Sequence, residues 1–186
     1  PPLHTVGCKD EASGKVFKQL FDTPTFAINV VSDVAGVELC GAMKNVVALG
    51  AGFCDGLGYG GNTKAAIVRI GLGEMQKFCA LFFEGVQQQT FIESCGVADL
   101  ITTCYGGRNR KCAEAFAKAT ASGKPTTWEE LETEMLNGQK LQGTITSKDV
   151  QLCLASKSAE GDFPLFCMIN KIAFHGEDPK KVVQLS

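Results

Sequence analysis

Apolar positions along the chain recur at helical spacing almost throughout, and at strand-like density in one short place. Val16, Phe17 and Leu20 predict a short helix over residues 11–20. Thr23-Pro24 ends it. Phe26 to Val31 (FAINVV), rich in β-branched residues, predicts a brief strand. Ser32-Asp33 offers an N-cap for a long helix from Val34 to Cys54, charged only at Glu38 and Lys44. Glycines 36, 41, 50 and 52 would weaken an exposed helix, so they predict close packing against neighbouring helices. Asn62 is placed to cap a second helix running to Phe83 and stopping at Gly85. Thr90-x-x-Glu93 and Thr127-x-x-Glu130 have the form of capping boxes. Further helices are predicted at about 94–104, 108–121, 127–136, 144–156 and 164–174, the last framed by Pro164 and Gly176. Residues 120–128 (TASGKPTTW) read as a surface loop.

This pattern predicts an all-α domain over residues 32–186, preceded by a helix and strand in residues 1–31 with no sheet of their own. A lone strand leaves its backbone groups unpaired. Either the strand pairs with a partner chain of the helical domain, or the first 31 residues are the tail of a sheet domain lying outside this chain; the second is the favoured expectation.

Composition narrows the class. Of 186 residues, 45% are hydrophobic; Lys plus Arg number 18 and Asp plus Glu 20, for a net charge of −2. That is globular composition, and it lacks the basic stripe of a nucleic-acid interface. The apolar run Val46 to Cys54 is far shorter than the ~20 residues of a membrane span. The amino terminus has no basic start followed by an apolar run, so no secretory signal is read there. Nine cysteines include no C-x-x-C pair, and the expectation is small buried hydrophobes in a reducing, cytoplasmic compartment. Two histidines, His4 and His175, are too few for a histidine metal site, and no metal is expected.

Gly56-Leu57-Gly58-Tyr59-Gly60-Gly61 matches G-x-G-x-x-G literally. The motif signifies a dinucleotide site only between a strand and a helix. Here a helix precedes it, so a glycine-rich turn between packed helices is the favoured reading. Lys44 stands out more. Glu38 is six residues away and on a different part of the helix surface. A lysine in such a stretch snorkels, pairs with a carboxylate, or transfers protons, and the pattern alone favours the structural roles. Asp99 and Thr103 are i,i+4 and share a helix face, where Asp99 is able to hold an ammonium group. Gly106-Gly107 then leads into Arg108-Asn109 at a helix start. A helix N-terminus favours an anion, and a guanidinium adds a bidentate fork for phosphate; a merely solvated basic helix start fits the pattern equally. Asn137 to Gly143 (NGQKLQG) is a polar loop, weak as a signal by itself.

Three segments carry a resemblance. CGAMKNVVALGAGFCDGLGYGGNTKAA (40–66), ESCGVADLITTCYGGRNRK (93–111) and LNGQKLQG (136–143) resemble the NAD-dependent glycerol-3-phosphate dehydrogenases, above all the eukaryotic cytosolic type. The likeness runs from about Val6 to Phe166. It implies a two-domain oxidoreductase, usually a homodimer, that interconverts dihydroxyacetone phosphate plus NADH with sn-glycerol 3-phosphate plus NAD. This chain would be the all-helical C-terminal substrate domain, of the kind also seen at the C-terminus of 6-phosphogluconate dehydrogenase, with a Rossmann remnant in residues 1–31. Lys44 matches the family's proton-transfer lysine, and Asn45 accompanies it. Asp99 and Thr103 match its polar partners. Arg108 and Asn109 match the pair that holds the substrate phosphate, with Arg108 also reaching the dinucleotide. Lys140 and Gln142 match the NAD-contacting loop. The dinucleotide fingerprint would lie in the missing half, so the isolated chain is expected to be inactive. The competing reading is a non-catalytic helical module that binds a phosphorylated ligand or dimerises.

Overall fold

A computed structural model describes residues 3–185. Pro1, Pro2 and Ser186, at the outer bounds of the two expected domains, lie outside the described residues. The chain runs β1 (Leu3–Gly7), α1 (Glu11–Phe21), β2 (Ala27–Val31), α2 (Val34–Gly56), α3 (Gly61–Phe82), α4 (Asp99–Gly106), α5 (Arg108–Ala121), α6 (Trp128–Leu136), α7 (Gln142–Ser156) and α8 (Pro164–Phe174). Short 3₁₀ turns fill several connections, and a π-helical turn, Ser94–Ala98, leads into α4.

The amino-terminal segment corrects the expectation of an orphan strand. β1 and β2 pair in parallel, Leu3 against Ala27 through Gly7 against Val31, with α1 as the crossover. Residues 3–31 are thus a strand–helix–strand unit with a two-stranded sheet. The first strand escaped the sequence reading because His4 and Thr5 break its apolar pattern and it is only five residues long.

The remainder is all-helical, as the sequence predicts, and is built around α2. α3, α4, α5 and α7 all pack on it. By length and composition α2 is able to cross a membrane, a point that the short run Val46–Cys54 understated. Its apolar surface has a different cause: every residue from Val46 to Cys54 is buried under surrounding helices. A helix covered on all sides carries no polar face. The expected role of its glycines divides. A Cβ at Gly52 would lie 2.3 Å from the Arg110 carbonyl oxygen of α5, so Gly52 sets the closeness of α2 to α5. Gly56, read in sequence only as part of the glycine-rich turn, does the same against Glu114. Gly41 meets nothing within 4 Å and is no packing glycine.

Several ends are as read. Asp33 caps α2, Thr127 and Glu130 form a reciprocal capping box on α6, and Pro164 starts α8. Thr90 and Glu93 do not form one: Thr90 Oγ1 donates to Asp33 Oδ2 at 2.6 Å, so its hydroxyl staples the chain to α2. Asn62 lies inside α3, whose N-cap is Gly60. The helix read at 94–104 breaks at Gly96, where a Cβ would lie 2.3 Å from the Phe91 carbonyl. α7 begins at Gln142, placing Gln142 and Gly143 in its first turn. All nine cysteines are free; six are buried, Cys8 and Cys95 are half-buried and Cys153 is exposed.

Candidate active site

The amino-terminal half of α2 emerges from the core, and there Lys44 leaves the apolar surround. Its ammonium group pairs with Asp99, the first residue of α4. The Lys44 side chain is 19% exposed and that of Asp99 38%, so the pair is held by protein yet reachable by a ligand. Glu38 takes no part. Thr103, one turn along α4, directs its hydroxyl at the other Asp99 oxygen at 3.4 Å, a long contact. The break at Gly96 makes this possible, since it lets α4 start at Asp99 in a new direction.

Beside Lys44, Asn45 works entirely within the protein. Its Nδ2 donates to the Gly41 carbonyl at 3.1 Å, and its Oδ1 accepts from Asn109 Nδ2 at 2.9 Å. Asn109 Oδ1 in turn accepts the Gly143 N–H at 2.9 Å. One buried amide therefore ties α2, the first turn of α5 and the first turn of α7 together. Gly143 has no alternative, because a Cβ there would lie 2.5 Å from the Asn45 carbonyl oxygen.

Arg108 opens α5. Its backbone precedes the first helical hydrogen bond, which runs from Lys111 N–H to the Gly107 carbonyl. The N–H groups of residues 108–110 thus lie ahead of the helical ladder, where an anion is favoured. Gly107 is required at this corner, since a Cβ would come within 2.6 Å of the Thr103 carbonyl. The exposed Arg108 guanidinium donates to Gln139 Oε1 at 2.6 Å. Arg108, Lys111, Leu136, Asn137 and Gln139 line an open cleft of about 400 Å³. The polar loop therefore faces the basic helix start, a meeting that neither segment announces alone.

The loop itself is pinned from below. Asn137 and Gly138 both adopt left-handed backbone and turn the chain. The buried Glu132 carboxylate accepts the Leu141 N–H at 2.9 Å and the Lys140 ammonium at 2.7 Å. Burial acts to raise the Glu132 pKa, but these two donors hold it below the usual range, and Glu132 raises that of Lys140. Gln142 is exposed at the start of α7. Glu132 escaped the sequence reading, because its partners stand eight and nine residues away across a turn. Behind the site, Asp55 accepts from Lys64 at 2.7 Å and Arg110 at 3.2 Å, an ion cluster that also escaped it. The GLGYGG segment is a turn between α2 and α3, with Gly58 at φ +71°. Among the described residues there is no metal-binding cluster of His, Cys, Asp and Glu.

Comparison with known proteins places this arrangement. The family model for the NAD-dependent glycerol-3-phosphate dehydrogenase C-terminus matches residues 33–184. The cytoplasmic glycerol-3-phosphate dehydrogenases [NAD(+)] of Rattus norvegicus and Homo sapiens are each 58% identical over 174 residues, covering 93% of this chain and 48% of the relative. The chain thus spans about half the length of these curated relatives. Among solved structures, the GPDH of Dunaliella salina superimposes with a TM-score of 0.95 at 49% identity, over 98% of this chain and 32% of that one. The Plasmodium falciparum glycerol-3-phosphate dehydrogenase gives a TM-score of 0.92 at 44% identity, over 98% of this chain and 50% of that one. The chain belongs to the NAD-dependent glycerol-3-phosphate dehydrogenase family, and corresponds to the C-terminal part of its members.

Proposed function

We propose that this chain is the substrate domain of an enzyme interconverting dihydroxyacetone phosphate plus NADH with sn-glycerol 3-phosphate plus NAD. The observation that carries this reading is the accessible Lys44–Asp99 pair set near a helix start headed by Arg108. The parallel β1–α1–β2 unit supports reading residues 1–31 as the end of a Rossmann domain and 32–186 as the catalytic partner. The names of the curated relatives support a cytoplasmic location.

Bound NADH supplies the hydride in the reduction. Lys44 donates its proton to the carbonyl oxygen as that oxygen becomes an alkoxide, and takes it back in reverse. Asp99 holds and orients the ammonium group, and Thr103 steadies Asp99. The substrate phosphate sits at the start of α5, where Arg108 offers a guanidinium and Asn109 a backbone N–H. The Asn109 side chain is committed to Asn45 and Gly143, so it and Asn45 fix the distance between phosphate and proton donor. The residues present fit one flank of a dinucleotide. Arg108 lines the cleft and bonds to Gln139 of the loop that also carries Lys140 and Gln142, and Lys140 is pre-positioned by Glu132.

The test is NADH oxidation by the full-length protein with dihydroxyacetone phosphate. Lys44→Ala is expected to lower kcat by ~10²–10⁴-fold, the ordinary loss of a positioned acid. Wild-type kcat in a folded Lys44→Ala protein removes that role. Binding of the phosphorylated ligand by the wild type without turnover favours the non-catalytic module.

A further inference from the structure

β1 and β2 reach out of their own unit to one segment of the helical domain. Thr5 and Asn29 are register partners across the parallel pair, so their side chains lie side by side on one face of the sheet. Asn29 Nδ2 donates to Glu93 Oε2 at 2.8 Å. Thr5 Oγ1 accepts the Cys95 N–H at 3.4 Å, a longer contact. All four residues are half-buried. Glu93, released from the capping box that its spacing suggested, thus has a partner 64 residues away.

The gripped segment is tightly wound and ends on Asp99. The Glu93 carbonyl accepts the Gly96 N–H at 3.0 Å. The Asp99 N–H donates in turn to the Ser94 and Gly96 carbonyls. Gly96 lies so close to Phe91 that no Cβ fits between them. A turn closed in this way has little slack, so a shift at Glu93 or Cys95 passes on to Asp99. Further back, Asp33 at the start of α2 holds the Gln87 N–H and the Thr90 hydroxyl. The strap is therefore tied to α2 at its beginning and to the sheet at its end. Thr5, Cys95 and Asp99 also line one cleft of about 570 Å³.

We propose that Thr5, Asn29 and Glu93 are positioning residues for the Lys44–Asp99 pair. Through the turn at 93–99 they aim Asp99 at Lys44 from the sheet side, and they act only through Asp99. The inference rests on the proton-transfer role given to Lys44 above. The strand–helix–strand unit of residues 3–31 thereby sets the geometry of an ion pair in the helical domain. Turnover then depends on a bond between the two parts that touches neither Lys44 nor the phosphate seat at Arg108.

The test uses the full-length protein with NADH and dihydroxyacetone phosphate. Asn29→Asp sets a second carboxylate against that of Glu93. Expected is a kcat lower by up to ~10²-fold, the cost of a ~1 Å misplacement, with the KM for both substrates unchanged. Without substrate, amide hydrogen exchange over residues 93–99 should quicken. Adding Glu93→Gln should restore kcat and exchange together, because the glutamine amide donates to the new carboxylate; a double-mutant cycle reads that coupling. If Asn29→Asp fails to fold, Asn29→Ala, which only deletes the bond, decides by kcat, KM and exchange. Wild-type kcat, a raised KM with kcat unchanged, or no recovery in the double variant overturns the proposal. Wild-type kcat in Thr5→Val removes Thr5 from it. Wild-type kcat in Lys44→Ala removes the reading on which the inference rests, and the inference with it. A loss in Lys44→Ala with wild-type kcat in Asn29→Asp removes the inference alone.

Discussion

Asn45 on α2 and Asn109 on α5 are joined by a 2.9 Å side-chain hydrogen bond, and Asn109 passes the connection on to the backbone of α7. Replacing Asn109 with Ala strands the buried Gly143 N–H and leaves the half-buried Asn45 Oδ1 without its donor. A buried unpaired group costs about 1–3 kcal/mol. Asn109→Ala should therefore lower the denaturant midpoint of the full-length protein, and raise the KM for dihydroxyacetone phosphate as the α5 start shifts. An unchanged KM would show that the link holds the helices without positioning the phosphate seat.

Asp99→Asn keeps the size of the side chain and removes its charge. Lys44 then loses the carboxylate that orients its ammonium group. The kcat for NADH oxidation should fall, but less than in Lys44→Ala, because the acid itself remains. Asp99 is no partner of the reacting lysine if kcat matches the wild type.

These two residues also show what was legible in sequence. Lys44 is conspicuous because it interrupts an otherwise apolar helix, and Asp99 and Thr103 because i,i+4 spacing puts them on one face. That they meet is a tertiary fact. Asn45 and Asn109 are 64 residues apart, and no local pattern encodes such a pairing. The long helices were readable because their period repeats over several turns. β1 was not, since five residues with two polar interruptions carry almost no period. Thr90 shows the opposite failure: it fits a capping box in sequence, but Asp33 competes for its hydroxyl and wins.

Glu132 holds the loop of Lys140 and Gln142 through one backbone N–H and one ammonium group. Glu132→Ala frees both. The loop should then loosen and the KM for NADH rise, while kcat at saturating NADH changes little. Lys140→Ala should raise that KM with a smaller loss of thermal stability than Glu132→Ala, since Glu132 keeps the Leu141 N–H. Equal KM values across wild type and both variants would detach this loop from the cofactor.

Gly41 and Gly52 lie on the same helix, yet alanine should act on them in opposite senses. Alanine in a helix interior gains roughly 0.5–1 kcal/mol over glycine. At Gly41 nothing opposes that gain, because a Cβ meets no atom within 4 Å. At Gly52 the Cβ would lie 2.3 Å from the Arg110 carbonyl oxygen and 2.6 Å from the Ala113 Cβ. Overpacking typically costs about 1–3 kcal/mol, and backbone has little room to yield. Gly52→Ala should therefore destabilise and Gly41→Ala stabilise in thermal melts. A stabilised Gly52→Ala would mean that α2 and α5 separate at little cost.

Asp33 gives the stability of the chain a defined acid dependence. Its buried carboxylate accepts from the Gly36 and Gln87 N–H groups, each at 2.8 Å, and from the Thr90 hydroxyl at 2.6 Å. Burial acts to raise its pKa, but the three donors hold it below the usual value of 3.8. The folded state thus binds the proton more weakly than the unfolded one. The stability Asp33 contributes is complete above 3.8 and is lost as pH falls through the lower folded value. Asp33→Asn should cost about 2–4 kcal/mol at neutral pH, from weakened charge-assisted bonds and a poorer cap. Chemical denaturation of both proteins from neutral pH into acid should show that gap constant at first and then closing below 3.8. A gap that is constant throughout, or that widens in acid, would show that the carboxylate's charge is not what holds the 87–90 segment to α2.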